Sequence, residues 1–173
     1  MQSDFEIIEK KIGAVVEIEE TAPIWKLPKV MGRDFHRLIN YVNSQHSELV
    51  DAPYSHYVDI QWEKELHKGT LGNIRDMFFK KWHFFVGMPV SNQLTAQGNI
   101  KSATLDKRKY VRGVHKGPYQ KIGKTYTRMV DWIKKQGLTP EPESLEFYMN
   151  DPTHTKQEEL ETVVLVPVSS VKH

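Results

Sequence analysis

Residues 109–137, KYVRGVHKGPYQKIGKTYTRMVDWIKKQG, contain in succession a strand-like run, a tight turn and an amphipathic helix. The apolar side chains of the helix recur at steps of three and four residues, which places them on one helical face. They are Ile122, Tyr126, Met129, Val130 and Ile133. Gly137 follows a lysine pair, and both features are typical of a helix C-terminus. We therefore predict a strand over 109–115 and a helix over 122–136.

The same apolar spacing occurs 91 residues earlier in the sequence. Met31 then corresponds to Ile122, and Val42 corresponds to Ile133. The earlier set is Met31, Phe35, Leu38, Ile39 and Val42. It predicts a second amphipathic helix that ends near His46.

Strand-like runs surround both helices in the same order. The runs are 13–20, 54–62 and 78–89 in the first half, and 109–115, 145–149 and 160–168 in the second. Each half closes on a Pro-Val pair, Pro89-Val90 and Pro167-Val168. The pattern predicts an α+β fold of two pseudo-twofold βαββ repeats, over about 10–90 and 109–173. Residues 63–77 lengthen the first hairpin, and the polar segment 91–108 is predicted to link the repeats.

Length and charge limit the classes of protein that fit. The 173 residues suit one domain, and a net charge of +2 gives no single-sign field for phosphate binding. No run of 18 apolar residues and no signal peptide are visible, so we expect a cytoplasmic protein without a membrane span.

The residue types also exclude several chemistries. The absence of cysteine removes disulfides, thiolate catalysis and iron–sulfur clusters. The eight histidines have no metal-ligand spacing, and phosphate-binding glycine loops and nucleophile elbows are missing. We therefore expect no metal and no cofactor.

Duplex DNA is not an expected partner, because the net charge is low and residues 1–30 are too strand-like for a recognition helix. A mobility-shift titration at moderate salt should show no useful affinity. Tight binding with a steep salt dependence would contradict this prediction.

The second half contains an ordered set of short phrases: HKGPY (115–119), EFYMNDP (146–152), LET (160–162) and VPV (166–168), with Trp132 and Gly137 between the first two. In this ordered set the second half resembles the GyrI-like small-molecule-binding family. That family includes gyrase-inhibitor-like proteins and the effector-binding domains of AraC-type and MerR-type multidrug-sensing regulators. The first half resembles the family only through the duplicated pattern.

The resemblance implies one GyrI-like domain over residues 1–173, in stand-alone form. It further implies helices on one face of the sheets and a ligand groove between the halves on the other. Family ligands are often bulky, aromatic or cationic. We therefore expect a hydrophobic or aromatic small molecule as partner, and a protein partner is also possible.

Alternation along the last strands suggests which side chains meet the ligand. In SLEFYMN, Glu146 and Tyr148 share one face, and the apolar Leu145, Phe147 and Met149 share the other, which we predict to lie under the helix. In LETVVLVPV the family commonly places an acid where this chain has Val163. Glu161, two residues earlier on the same face, is the candidate replacement.

The candidate ligand-binding residues are Glu146, Tyr148, Glu161, Tyr57, Asp59, Tyr119, Trp62 and Trp82, and Trp25 is a further aromatic candidate. A carboxylate among aromatic rings can attract a cation, or act as general acid or base when burial raises its pKa. Glu146 and Glu161 are the catalytic candidates. The alternative interpretation is that the acids are solvated strand residues and the tryptophans are core.

Three functions remain open at this stage. The first is a protein that sequesters or senses a drug or toxin. The second is a hydrolase of strained, cyclopropane-bearing genotoxins that uses the groove carboxylates, as in some stand-alone members of the family. The third is an inhibitor of gyrase or another protein, acting through an outer surface.

Overall fold

The fold is built on an antiparallel sheet, seen in a computed structural model that describes residues 4–66 and 80–170. Its strands are β1 (Phe5–Lys10), β2 (Gly13–Pro23), β3 (Tyr54–Val58), β4 (Lys81–Pro89), β5 (Ile100–Leu105), β6 (Arg108–Lys116), β7 (Leu138–Pro140), β8 (Ser144–Tyr148) and β9 (Glu161–Ser170). The α-helices in this part of the chain are α1 (Leu27–Ser44), α2 (Trp62–Leu66) and α3 (Ile122–Lys135). The predicted α+β class is confirmed.

The order of the strands brings the two halves of the chain together at the middle of the sheet. The order is β1-β6-β9-β8-β3-β4-β2-β5, and β7 pairs with β9. The central junction is therefore the antiparallel pair β3–β8, in which Ser55 lies opposite Glu146 and Tyr57 opposite Ser144. Side chains from distant parts of the sequence become neighbours there.

Both long helices pack against the same face of this sheet. Under α1 lie Val16 and Phe84 with the helical Leu38, and under α3 lie Val111 and Val164. The strand register continues this face across the junction, because Phe84 is opposite Tyr57, Ser55 is opposite Glu146, and Glu146 is opposite Val164. The apolar faces of the two predicted helices thus cover one side of the sheet.

The opposite face carries a second core, and here one prediction is wrong. Leu145 and Phe147 do not lie under a helix but pack with Tyr54 and Leu165 on the other side. Met149, the third member of that set, follows β8 and is 47% exposed. The reason is that β8 is a central strand buried on both faces, so its alternation separates two faces without saying which of them the helices cover.

The other differences concern boundaries. The first helix begins and ends earlier than predicted, at Leu27 and Ser44, whereas Gly137 has the expected left-handed conformation with a φ of 68°. The predicted linker 91–108 contains the edge strand β5, which pairs with β2. The predicted strand 54–62 stops at Val58, and Trp62 begins α2. Residues 67–79, which include most of the predicted hairpin extension, lie outside the described residues.

None of the helices in the described part of the chain has the length and apolar character needed to cross a bilayer.

Candidate functional site

A buried carboxylate lies at the centre of the sheet, between the two long helices. Glu146 on β8 faces α1 and α3, and only 7% of it is exposed. Its Oε1 accepts a hydrogen bond of 2.8 Å from the hydroxyl of Tyr126 on α3, and its Oε2 accepts one of 3.0 Å from Tyr148 on the same strand. Both carboxylate oxygens are therefore held by tyrosine hydroxyls.

Two serine hydroxyls extend this network. Ser55 lies 2.6 Å from the Tyr148 hydroxyl, and Ser144 lies 2.6 Å from the Tyr126 hydroxyl. Each tyrosine donates its single proton to the carboxylate, so each serine must donate to the tyrosine oxygen. The two tyrosine hydroxyls thus donate directly to Glu146, and the two serine hydroxyls donate to the tyrosine oxygens behind them. This arrangement stabilises negative charge on Glu146.

The charge on Glu146 has no cationic partner among the residues that the structure describes. Burial raises the pKa of Glu146, and the hydrogen bonds from Tyr126 and Tyr148 offset part of this rise. No ion pair to Glu146 is formed in that part of the chain. The charge of Glu146 adds to burial in raising the pKa values of Tyr126 and Tyr148. The site is a buried carboxylate without its countercharge.

Aromatic rings surround the carboxylate network on several sides. The ring of Tyr148 meets the ring of Phe35 from α1 at 5.9 Å and that of Tyr119 from the turn before α3 at 5.6 Å, both edge to face. On the other side, the ring of Trp62 lies 5.5 Å from the ring of Tyr126. This ring set offers quadrupole faces and edges of the kind that attract cations and flat aromatic molecules.

Tyr57 and Trp82 continue the aromatic wall towards the first half. Their rings are 6.0 Å apart at an angle of 81°. Burial, and after it the charge of Glu146, raises the pKa of Tyr57, which places this side chain in the field of the carboxylate. Five predicted residues besides Glu146 therefore gather around it: Tyr57, Trp62, Trp82, Tyr119 and Tyr148.

Three of the sequence candidates do not join this cluster. Glu161 is on the opposite face from Glu146, half-exposed, with Lys116 at 3.9 Å. Val163 shares that face and lies opposite Phe147, so the expected convergence of Glu146 and Glu161 does not occur. Asp59 is exposed and pairs with His83 at 3.1 Å, and Trp25 is 57% exposed before α1.

Four members of the site were missed at the level of sequence: Ser55, Ser144, Tyr126 and Phe35. The serines lie two residues before Tyr57 and Glu146, and strand alternation could have placed them on the same face. Tyr126 and Phe35 were assigned to the apolar helix faces, which is correct. Their contacts with Tyr148 and Glu146 depend on packing that no local pattern specifies.

Two surface cavities flank α3. One, of about 480 Å³, is lined by Trp62, Lys134 and Leu138, and the other, of about 490 Å³, by Phe5, His115 and Lys124. Glu146 lines neither cavity. Trp62, which lines the first cavity, also contacts the ring of Tyr126, which donates to Glu146. The described ranges contain no group of three or more metal-ligating side chains.

Known structures share this fold over nearly the whole chain. The crystal structure of the EcmrR C-terminal domain superposes with a TM-score of 0.66 at 17% identity, covering 96% of this chain and 99% of that one. Against the EcmrR chain of an EcmrR–DNA complex, this chain spans 58% of the relative's length, at 16% identity and a TM-score of 0.65.

Two further structures are similar. A hydrolase encoded by lin2189 from Listeria innocua gives a TM-score of 0.59 at 12% identity, covering 95% of this chain and 92% of that one. SAV2435 bound to tetraphenylphosphonium gives 0.54 at 14% identity, covering 97% and 96%. At these identities the likeness shows the fold alone.

Sequence comparison gives the family. No curated protein sequence matches this chain. The family model described as the GyrI-like small molecule binding domain matches residues 47–169, which include β3, the second half as far as residue 169, and Glu146. The chain therefore belongs to the GyrI-like family of small-molecule-binding domains.

Proposed function

We propose that this chain binds a hydrophobic, aromatic small molecule between α1 and α3, with a preference for cations. Glu146 supplies the countercharge, and Tyr148, Tyr119 and the neighbouring rings form the walls. By binding the compound, the protein sequesters it or senses it for a partner.

The observation that carries this proposal is the uncompensated Glu146 carboxylate. A charge removed from water is costly unless it is paired, and the two tyrosine hydroxyls that donate to Glu146 meet only part of that cost. A cation bound among the rings would complete the pair in a medium of low dielectric, where the attraction is strong.

The position of the site in the fold supports the same proposal. Ser55 belongs to the first half and Glu146 to the second, and they face each other across the β3–β8 junction. We infer that the halves are pseudo-twofold βαββ repeats and that the ligand groove follows their junction. The position of Glu146 favours the helix-covered face for this groove, and not the opposite face that the family resemblance implies. The tetraphenylphosphonium bound to SAV2435 makes that cation a suitable first probe.

Binding of tetraphenylphosphonium should weaken as the pH falls. Because burial raises the pKa of Glu146, the carboxyl is protonated and neutral at a higher pH than an ordinary glutamate. Below that pKa, one proton competes with the cation, so the affinity should fall by up to about tenfold per pH unit. Calorimetric titrations between about pH 4 and pH 8 would measure this slope.

Triphenylphosphine oxide, a neutral molecule with three of the same rings, is the control for these titrations. Its affinity should change little over the same range. The facing tyrosines, Tyr57, Tyr126 and Tyr148, have raised pKa values and stay protonated throughout. A tetraphenylphosphonium affinity that does not depend on pH would count against Glu146 as the countercharge.

A hydrolase is the second candidate, and the raised pKa of Glu146 is the observation that favours it. As a general base, Glu146 would take a proton from water while the water oxygen attacks a strained cyclopropane carbon, and the carbon released by ring opening would then receive a proton. Glu161 has no part in this version, since it lies on the other face. If the wild-type protein binds a cyclopropane-bearing electrophile and returns it unchanged, only the binding role remains.

The gyrase-inhibitor hypothesis stays a prediction. An inhibitor of this kind would act through an outer surface, so its inhibitory activity should persist when Glu146 is replaced. That result would distinguish it from both proposals above.

A further inference from the structure

One hydroxyl on the helix-covered face takes no part in the network around Glu146. Thr162 on β9 is fully buried, and its Oγ1 has no hydrogen-bond partner among the described residues. By contrast, the hydroxyls of Ser55, Ser144, Tyr126 and Tyr148 are all engaged. A buried hydroxyl without a partner destabilises the free protein, so its place in the fold needs a reason.

The strand register puts Thr162 beside the proposed ligand. Thr162 lies opposite Tyr148 on β8 and opposite His115 on β6. His115 faces α3, because its Nδ1 lies 2.9 Å from the Thr125 hydroxyl. Residues directly opposite each other share a face of the sheet. Thr162 is therefore the cross-strand neighbour of Tyr148, on the same face as Glu146.

Among the described residues, neither of the two side chains that lie opposite Thr162 is free to satisfy its hydroxyl. The nitrogens of His115 are both in use, Nδ1 with Thr125 and Nε2 with the Pro118 carbonyl oxygen at 3.0 Å. The Tyr148 hydroxyl is already held between Ser55 and Glu146. The unused capacity of Thr162 is therefore open to a molecule that enters the site.

We propose that Thr162 determines ligand specificity by hydrogen-bonding a polar group of the bound molecule. This inference rests on the proposed function and narrows its ligand class. The preferred ligand is an aromatic cation that carries a hydroxyl or another hydrogen-bonding group on a ring that lies along Tyr148. Glu146 recognises the charge, and Thr162 recognises the polar substituent.

The test compares tetraphenylphosphonium with its 3-hydroxyphenyl and 4-hydroxyphenyl analogues, so that the substituent is offered at two positions. The wild-type protein should bind at least one hydroxylated probe about 3- to 10-fold more tightly than the parent, the effect of one neutral hydrogen bond. Thr162→Val keeps the shape and removes the hydroxyl, so it should abolish this preference and leave the parent affinity unchanged. Its thermal midpoint should be equal to or above that of the wild type.

Thr125→Val is the matched control. It also removes a buried threonine hydroxyl, but one that serves His115, so it should lower the thermal midpoint by roughly 2–8 °C and keep the preference for the hydroxylated probe. Thr162→Ser, which retains a hydroxyl, should keep much of the preference.

The outcomes separate this inference from the proposed function. If the parent cation binds but neither hydroxylated probe binds more tightly, the role of Thr162 is wrong and the Glu146 site stands. Two results for Thr162→Val would show that the hydroxyl has a structural role and would overturn the inference. One is a thermal midpoint as low as that of Thr125→Val, and the other is an equal loss of affinity for the parent and the hydroxylated probes. If no phosphonium binds the wild type, the proposed function fails and the inference fails with it.

Discussion

Glu146→Gln is expected to weaken tetraphenylphosphonium binding by about 30-fold to several thousand-fold, the range for losing one partner of a desolvated charge contact. Glutamine keeps the size and a carbonyl oxygen that can accept from Tyr126, so the cluster should stay packed. Calorimetry or fluorescence titration at neutral pH would measure the loss. Triphenylphosphine oxide should lose little, because it brings no charge to the site.

Glu17→Gln provides a matched control for this substitution. Glu17 on β2 is as buried as Glu146, 6% against 7% exposed, and it too accepts a tyrosine hydroxyl, from Tyr54 at 2.6 Å. Burial raises its pKa as well. It faces the other side of the sheet, where Tyr54 packs, so its loss should leave the phosphonium affinity unchanged. Equal losses in both variants would mean that the effect of Glu146 is structural.

The sequence predicts which residues alternate but not which face the helices cover. The separation of Glu146 and Tyr148 from Leu145 and Phe147 is correct, since a strand must alternate. Their assignment to faces is wrong because apolar side chains can pack under a helix or in a second core. At a surface strand, the polar set would mark the solvent. At β8 both sets are buried, and polarity no longer identifies a face.

The contacts that make the site could not be predicted from local patterns. The hydrogen bond between Ser55 and Tyr148 joins residues 93 positions apart, and it depends on β3 and β8 being neighbours. Duplication predicts two similar halves but leaves open the edge at which they join. Once that junction is known, the place of Tyr57 beside the Glu146 network follows from register alone.

The face assignment itself predicts unequal costs for two adjacent phenylalanines on β4. Phe84 is fully buried under α1 with its ring 5.7 Å from that of Tyr57, so Phe84→Ala should lower the free energy of unfolding by about 3–5 kcal/mol. Phe85 points to the other face, partly exposed between His56 and His83, and Phe85→Ala should cost at most about 1 kcal/mol. Urea denaturation followed by circular dichroism would measure both values under the same conditions.

The neighbouring position controls for effects of alanine on strand propensity, because both residues belong to one strand between the same neighbours, β3 and β2. Equal costs, or a larger cost at Phe85, would contradict the assignment of Phe84 to the face that α1 covers. The strand register places Glu146 and Tyr148 on that same face, so the position of the proposed site beneath the helices would then lose its support.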